Sequence, residues 1–81
     1  MFIVYILKSL KNGRFYIGQT QDINDRIKRH NSGKVKSTKH YKPWEIVYSE
    51  DYQIRSEACK REVQIKSYKG GEAFHKLFKI S

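Results

Sequence analysis

The feature that most restricts the fold of this chain is an unbroken apolar run at residues 2–7, with the sequence FIVYIL. The run is rich in β-branched and aromatic side chains, and it shows no alternation of polar with apolar residues. It is too short to span a bilayer. Such a run is typical of a strand that is covered on both faces. The sequence therefore predicts a buried central strand.

A second strand is predicted at residues 15–20, and the dipeptide Asn12-Gly13 lies between the two apolar segments. Both of its positions tolerate positive φ, which makes the pair a strong signal for a two-residue hairpin turn. A turn of that kind pairs Lys11 with Arg14. The two strands are therefore expected to be antiparallel neighbours.

The same turn sets the pairing of the side chains along the hairpin. It pairs Tyr5 with Thr20, and it puts Gly18 opposite Leu7, where the missing side chain leaves open space. In this register Tyr5 and Tyr16 lie on one face of the sheet. A slip by one residue would put them on opposite faces.

Residues 22–31 have the periodicity of a helix. Asp22 is a suitable N-cap, and Gly33 can end the helix in the left-handed conformation. Two isoleucines mark the inward face. Arg26 and His30 are i, i+4 neighbours, so a cation and an imidazole are expected beside the buried stripe.

A third strand is predicted at residues 44–48, after Pro43. Trp44, Ile46 and Tyr48 alternate along it, which favours one common face for the three side chains.

Two more helices are predicted, at residues 55–68 and at residues 72–80. Cys59 is interpreted as a small core residue of the first of them. Glu62 falls on the same inward arc, where a carboxylate is costly unless it is paired or binds a metal ion. The second helix has a packing face formed by four apolar side chains: Ala73, Phe74, Leu77 and Phe78.

These elements predict an α+β fold in the order ββαβαα, in which helices flank a three-stranded antiparallel sheet. A chain of 81 residues is expected to form a single domain, residues 1–81. With one cysteine, no intrachain disulfide and no multi-cysteine zinc site is possible, and this fits a cytoplasmic protein.

The net charge of +9 points to a polyanionic partner, because a basic surface gains free energy when the counterions of nucleic acid are released. The residues between the first helix and the third strand carry much of this charge. The nucleic-acid-binding residues predicted there are Lys34, Lys36, Lys39, His40 and Lys42. No side chain reads as a base-specific contact, so recognition of backbone or shape is expected.

Five short elements occur in a fixed order along the chain, and together they resemble the GIY-YIG nuclease family. They are Val4-Tyr5-Ile6, Tyr16-Ile17-Gly18, Arg26, His30 and Glu62. The likeness is greatest to small, stand-alone bacterial members. Those proteins share a Val-Tyr-Ile-Leu opening, a His-Asn-Ser-Gly turn, a Val-Tyr-Ser-Glu strand and an Arg-Glu-x-x-Ile-Lys helix. The corresponding segments here are residues 4–7, 30–33, 47–50 and 61–66.

The resemblance implies a metal-dependent endonuclease that cuts phosphodiester bonds of nucleic acid, with DNA favoured over RNA as its substrate. It implies that Tyr5 is the general base, with Tyr16 as partner or substitute, and that Arg26 stabilises the charge of the phosphorane. It also implies that Glu62 holds one divalent ion, Mg²⁺ or Mn²⁺. His30 is expected to relay the proton, because its pKa normally lies near neutrality. No small-molecule cofactor and no membrane partner is expected.

The chain departs from the family pattern at two places, and a second interpretation stays open. The glycine of the first tripeptide is missing, since Ile3 and Val4 precede Tyr5, and no asparagine follows Asn31, although many members carry a late one. Glu62 can also pair with Lys66 one helical turn later. The alternative function is a module that binds nucleic acid on this fold without efficient cleavage.

Overall fold

The computed structural model describes residues 1–79 and has the predicted α+β architecture. The strands are β1 (Phe2–Ser9), β2 (Phe15–Thr20) and β3 (Trp44–Tyr52). The helices are α1 (Ile23–Ser32), α2 (Arg55–Ser67) and α3 (Glu72–Lys79), and a short 3₁₀ turn (Lys39–Tyr41) precedes β3. The sheet order is β2-β1-β3 with antiparallel pairing throughout, so the central position predicted for the apolar run is confirmed. Ile80 and the side chain of Phe78, both assigned to the last helix above, lie outside the described residues.

Alternate residues of β1 enter two separate cores. Val4 and Ile6 are fully buried on one face, beneath α2 and α3, where they join Ala58, Ile65 and Phe74. The predicted packing face of α3 is confirmed for Phe74 and Leu77, whereas Ala73 is exposed. This face holds the larger core.

Tyr5 and Leu7 are buried on the opposite face, beneath α1, together with Trp44. The inward isoleucines of α1, Ile23 and Ile27, pack against this second core, as predicted. A strand that is buried on both faces thus holds one helical layer on each side of the sheet.

The hairpin loop is longer than predicted. Ser9 N–H donates to the Arg14 carbonyl and Gly13 N–H donates to the Ser9 carbonyl, which closes a four-residue loop at residues 10–13. The Ser9 hydroxyl accepts the amides of Lys11 and Asn12, and these two bonds stabilise the wider loop over a two-residue turn. Of the two central positions, Gly13 alone has a positive φ.

The wider loop shifts the register by two positions, and the predicted pairs are therefore wrong. Tyr5 lies opposite Gly18, and Leu7 lies opposite Tyr16. Because a shift by two residues preserves the side-chain faces, Tyr5 and Tyr16 still share a face, as predicted. The space above Gly18 is filled by the side chain of Tyr5, whereas the predicted register put this space opposite Leu7.

A β-bulge in β3 overturns the predicted alternation of Trp44, Ile46 and Tyr48. Ile6 pairs with Tyr48 but Leu7 pairs with Ile46, so Val47 is the extra residue. Trp44 consequently packs under α1, Tyr48 packs under α2, and Ile46 is 39% exposed at the edge of the sheet. An inserted residue cannot be read from the hydrophobic pattern, because it breaks the period of two on which the prediction rests.

The predicted ends of α1 are confirmed. The Asp22 carboxylate accepts the amide of Asp25, and Gly33 ends the helix with a φ of 83°. The interpretation of Cys59 as a core residue is wrong, since its side chain is exposed. The neighbouring Ala58 takes the buried position in α2, and the Cys59 sulfur accepts a hydrogen bond from the Gln19 amide at 2.9 Å.

A cluster around Glu50 attaches the end of β3 to α2. Arg61 donates from Nε and from a terminal nitrogen, both at 2.9 Å, and the hydroxyls of Tyr48 and Tyr52 also donate to this carboxylate. Burial alone would raise the pKa of Glu50. The four hydrogen bonds outweigh it and lower the pKa to about 2. The Glu50 carboxylate therefore stabilises the fold at every pH at which it is ionised.

We expect the variant Arg61→Met to lower the free energy of unfolding at pH 7 by about 2 kcal/mol, because it leaves a largely buried carboxylate without its cation. The folded pKa of Glu50 lies below the unfolded value, so this contribution is complete above the ordinary carboxyl pKa. It disappears as the pH falls toward 2. Urea denaturation at several pH values measures the difference, with the exposed neighbour Lys60→Met as the control. A loss that is independent of pH would contradict the assignment.

Candidate active site

Three of the residues predicted for the site meet in the core beneath α1. The Tyr5 hydroxyl lies 3.3 Å from His30 Nε2, and the ring of Tyr16 is centred 4.8 Å from the imidazole and 6.3 Å from the Tyr5 ring. Tyr5 and His30 are buried, whereas Tyr16 is partly exposed. One phenol is therefore held against an imidazole, and the other lies beside it nearer the solvent.

Gly18 makes room for the Tyr5 side chain. A Cβ atom at position 18 would lie 2.7 Å from the Tyr5 hydroxyl oxygen and 2.9 Å from Cζ. Tyr5 thus crosses the backbone of β2 at the one pairing position that has no side chain. Glycine is required here by close approach and not by backbone conformation.

Thr38 orients the imidazole, and nothing in the sequence pattern indicates this role. Its hydroxyl lies 2.8 Å from His30 Nδ1 and donates, at 3.4 Å, to the Val35 carbonyl. A hydroxyl that donates its proton to Val35 accepts from Nδ1, which leaves Nε2 as the acceptor for the Tyr5 hydroxyl. Trp44 Nε1 donates to the Thr38 carbonyl at 3.0 Å and holds this residue in place.

The protonation states of Tyr5 and His30 follow from burial and from the charges around them. Burial raises the pKa of Tyr5 well above its ordinary value. Tyr16 and Glu62 raise it further, while Arg26 lowers it. Burial and then Arg26 lower the pKa of His30. At neutral pH the pair therefore consists of a neutral phenol and a neutral imidazole.

Arg26 and Glu62 approach this pair from opposite sides of the sheet. Arg26, on α1, is partly buried, and within residues 1–79 its side chain forms no ion pair. Glu62, on α2, acts on the same Tyr5 hydroxyl from the other layer. Among the charged groups that perturb Tyr5 are thus a cation from one layer and a carboxylate from the other.

Glu62 is paired in two ways. Lys66 Nζ lies 2.7 Å from one carboxylate oxygen, and Gln19 Nε2 donates to the other at 3.4 Å. The i, i+4 pair considered from the sequence is therefore present. Gln19 was not predicted. Its place in the strand next to Gly18 puts it on the sheet face opposite Tyr5, and that alternation is a signal that sequence reasoning could have used.

The donor set of this region limits the kind of metal ion that it can hold. The part of the chain that the structure describes contains no group of three histidine, cysteine or carboxylate side chains arranged around one point. One carboxylate fits Mg²⁺ or Mn²⁺, which keep several waters and take phosphate oxygens from a substrate. Lys66 contacts one Glu62 oxygen, so an ion at that carboxylate would compete with the lysine.

The predicted lysines lie in an exposed loop that is fixed to the rest of the molecule. Lys34, Lys36, Lys39, His40 and Lys42 are all exposed, and within residues 1–79 none of them forms an ion pair. The hairpin adds two cations, since Lys11 Nζ donates to the His40 carbonyl and the Arg14 guanidinium lies 4.7 Å from the centre of the Tyr41 ring. No helix in the described part of the chain is long and apolar enough to cross a bilayer.

Residues 1–72 match the sequence profile of the GIY-YIG catalytic domain. A UPF0213 protein of Staphylococcus epidermidis is 48% identical over 66 residues, which cover 80% of this chain and 79% of the relative. A UPF0213 protein of Staphylococcus aureus is 46% identical over the same shares. The solution structure of a UPF0213 protein from Bacillus halodurans is 34% identical, with a TM-score of 0.49 over 94% of both chains.

We expect Gly18→Ala to destabilise the fold by about 1–3 kcal/mol, because the new methyl group overlaps the buried Tyr5 ring. The Tyr5 hydroxyl is expected to move away from His30, which a change in the ¹⁵N shifts of the imidazole would report. Gly13→Asn is the control, since position 13 is open and asparagine tolerates its positive φ. Unchanged stability and unchanged imidazole shifts in Gly18→Ala would refute the close approach.

Proposed function

The chain belongs to the GIY-YIG catalytic-domain family, and from this we propose that it is a metal-dependent endonuclease that hydrolyses phosphodiester bonds, in DNA rather than RNA. The observation that carries the proposal is the convergence on the Tyr5 hydroxyl. The imidazole of His30 lies 3.3 Å from it, the charge of Arg26 lowers its pKa and the charge of Glu62 raises it. A buried phenol with these neighbours is arranged for proton transfer.

Arg26 is the residue proposed to bind the scissile phosphate. Its guanidinium has no carboxylate partner within residues 1–79, so its donors are available to an anion. A guanidinium presents a planar fork of donors that matches two phosphate oxygens. As water attacks phosphorus, the charge on the equatorial oxygens grows, and Arg26 stabilises that charge.

Tyr5 and His30 are proposed to remove the proton from the attacking water. The Tyr5 oxygen takes the water proton while its own proton passes to His30 Nε2, and a P–O bond forms as the bond to the leaving oxygen breaks. Because the pKa of His30 is lowered, the imidazole starts neutral and returns its proton readily after the reaction. The leaving oxygen is protonated from solvent. Tyr16 lies nearer the surface. It is proposed to take over the role of Tyr5 when the attacking water lies closer to its own hydroxyl.

Glu62 is the residue proposed to hold Mg²⁺ or Mn²⁺. A bound divalent ion would polarise the phosphate and stabilise the leaving oxygen. Lys66 and Gln19 already contact the two oxygens of this carboxylate, so an ion would compete there with the lysine. Lys66 would therefore lower the affinity of Glu62 for a divalent ion.

The ion pair between Glu62 and Lys66 favours a second candidate function, a module that binds nucleic acid without efficient cleavage. In that case Glu62 is a paired carboxylate and Tyr5 is an ordinary buried phenol. Both functions use the exposed lysines of residues 34–42, so a measurement of affinity for nucleic acid does not distinguish the two functions. Metal-dependent cleavage does.

We expect Mg²⁺- or Mn²⁺-dependent cleavage of labelled DNA that falls about a hundredfold or more in Glu62→Gln, since a metal ion contributes several kcal/mol to transition-state stabilisation. Lys66→Met should lower the Mg²⁺ concentration for half-maximal cleavage, because it frees the carboxylate. Glu57→Gln, an exposed carboxylate on the same helix, is the control. A panel of DNA and RNA substrates with a chelator arm completes the assay. If no variant and no wild-type sample cuts while salt-sensitive binding persists, the binding module replaces the nuclease.

We expect each single variant Lys34→Ala, Lys36→Ala, Lys39→Ala and Lys42→Ala to weaken binding of all sequences alike. Each should also reduce the slope of log affinity against log salt by about one, as expected for one lost phosphate contact. The measurement is fluorescence anisotropy in chelator over a series of salt concentrations. Lys76→Ala, an exposed lysine on α3, is the matched control. A change in base preference with an unchanged slope would exclude these lysines as phosphate contacts.

A further inference from the structure

A cavity of about 490 Å³ opens between the N-terminal ends of α1 and α2, beside the proposed catalytic residues. Arg26 forms part of its wall, and Cys59, another wall residue, lies one helical turn before Glu62. Ligand sites in proteins measure roughly 300–1,000 Å³, so the space is sufficient for a small ligand. Whatever fills it is in direct reach of the Arg26 guanidinium.

The cavity attracts anions. Arg26 and Arg55 both line it, and within residues 1–79 neither guanidinium forms an ion pair. Asp22 supplies the carboxylate in the wall, but that group caps α1 by accepting the Asp25 amide. Two unpaired guanidinium groups at one opening form a site for phosphate.

The wall also offers a flat surface and an unused amide. The Arg55 guanidinium carbon lies 5.4 Å from the centre of the Phe2 ring, so cation and ring form a stack at the edge of the cavity. Bases that leave a helix stack on aromatic rings and on guanidinium planes. Gln21 also lines the cavity, and its side-chain amide has no hydrogen-bond partner in the described part of the chain. An amide can both donate to and accept from the edge of a base.

From these observations we propose that the cavity is a nucleotide subsite, which accepts one unstacked nucleoside next to the scissile phosphate. Arg55 binds the phosphate of that nucleotide, while Arg26 binds the phosphate that is cut. The stack of Arg55 on Phe2 receives the base, and Gln21 contacts its edge. The proposal rests on the proposed nuclease function, since it takes the position of the scissile phosphate from it.

A consequence follows for the substrate. A base inside an uninterrupted duplex is stacked and paired, and it enters a side cavity only after it has been extruded. Single strands, flaps and frayed ends offer an unstacked base without that cost. The subsite therefore favours them over continuous duplex.

The test is an NMR titration of the full chain in chelator with thymidine 5′-monophosphate, and parallel titrations with thymidine and with inorganic phosphate. We expect the nucleotide to shift the amide signals of Phe2, Gln21, Arg55 and Cys59. Arg55→Gln should bind about tenfold more weakly, as for the loss of one charge-assisted contact. Lys60→Gln, an exposed cation on the same helix that is absent from the wall, should bind like the wild type.

A second variant removes the space and not the charge. Cys59→Phe puts an aromatic ring into the opening and should abolish binding of the nucleotide, with the fold checked by circular dichroism. Shifts confined to residues 34–42 would overturn the proposal. So would inorganic phosphate that binds as well as the nucleotide, because that result describes a simple anion site. Normal binding by Cys59→Phe would overturn it too.

The titration requires neither metal nor cleavage, so its result is separable from that of the nuclease assay. Cleavage without a nucleotide in the cavity would refute the subsite and leave the enzyme. Binding in the cavity without cleavage would refute the enzyme and leave a nucleotide-binding surface.

Discussion

The burial of β1 on both faces is the constraint on which the rest of the structure depends. A strand whose side chains are apolar on both sides needs a layer above and a layer below, and α1 and α2 supply them. These layers carry the groups of opposite charge, Arg26 on one and Glu62 on the other. The sheet lies between these two charges, and both of them shift the pKa of Tyr5. The Tyr5 hydroxyl reaches the edge strand β2 at Gly18, where no side chain blocks it. The geometry of the candidate site is thus a result of how the core is divided.

The sequence predicts this architecture well because the responsible signals are local. The apolar run identifies the central strand, Asp22 and Gly33 delimit α1, and hydrophobic periodicity locates the helices. The register of the hairpin was wrong by two residues because a side-chain hydroxyl, Ser9, stabilises a wider loop than the Asn12-Gly13 signal implies. The faces of the tyrosines were nevertheless correct, since an even shift preserves them.

The parts that sequence reasoning missed depend on contacts between distant segments. Thr38 lies in a lysine-rich loop and gives no sign that it is buried against His30. The bulge at Val47 is an insertion relative to β1, visible only when both strands are paired. The cavity is likewise formed by β1, β2, α1 and α2 together, and no short motif encodes it. The residues of the candidate site could be predicted from the sequence, whereas the contacts that support them are visible only in the folded structure.

Thr38 also joins the exposed loop of residues 34–42 to the buried imidazole of His30. The hydroxyl that fixes the tautomer of His30 is carried by the same loop that presents the exposed lysines. A displacement of this loop takes the hydroxyl away from Nδ1, and the imidazole then loses the bond that makes Nε2 an acceptor. The ability of Nε2 to accept a hydrogen bond therefore depends on the position of the loop. If a polyanion binds these lysines, as proposed above, it would hold the loop in place and so keep the Thr38 hydroxyl against Nδ1 of the buried imidazole.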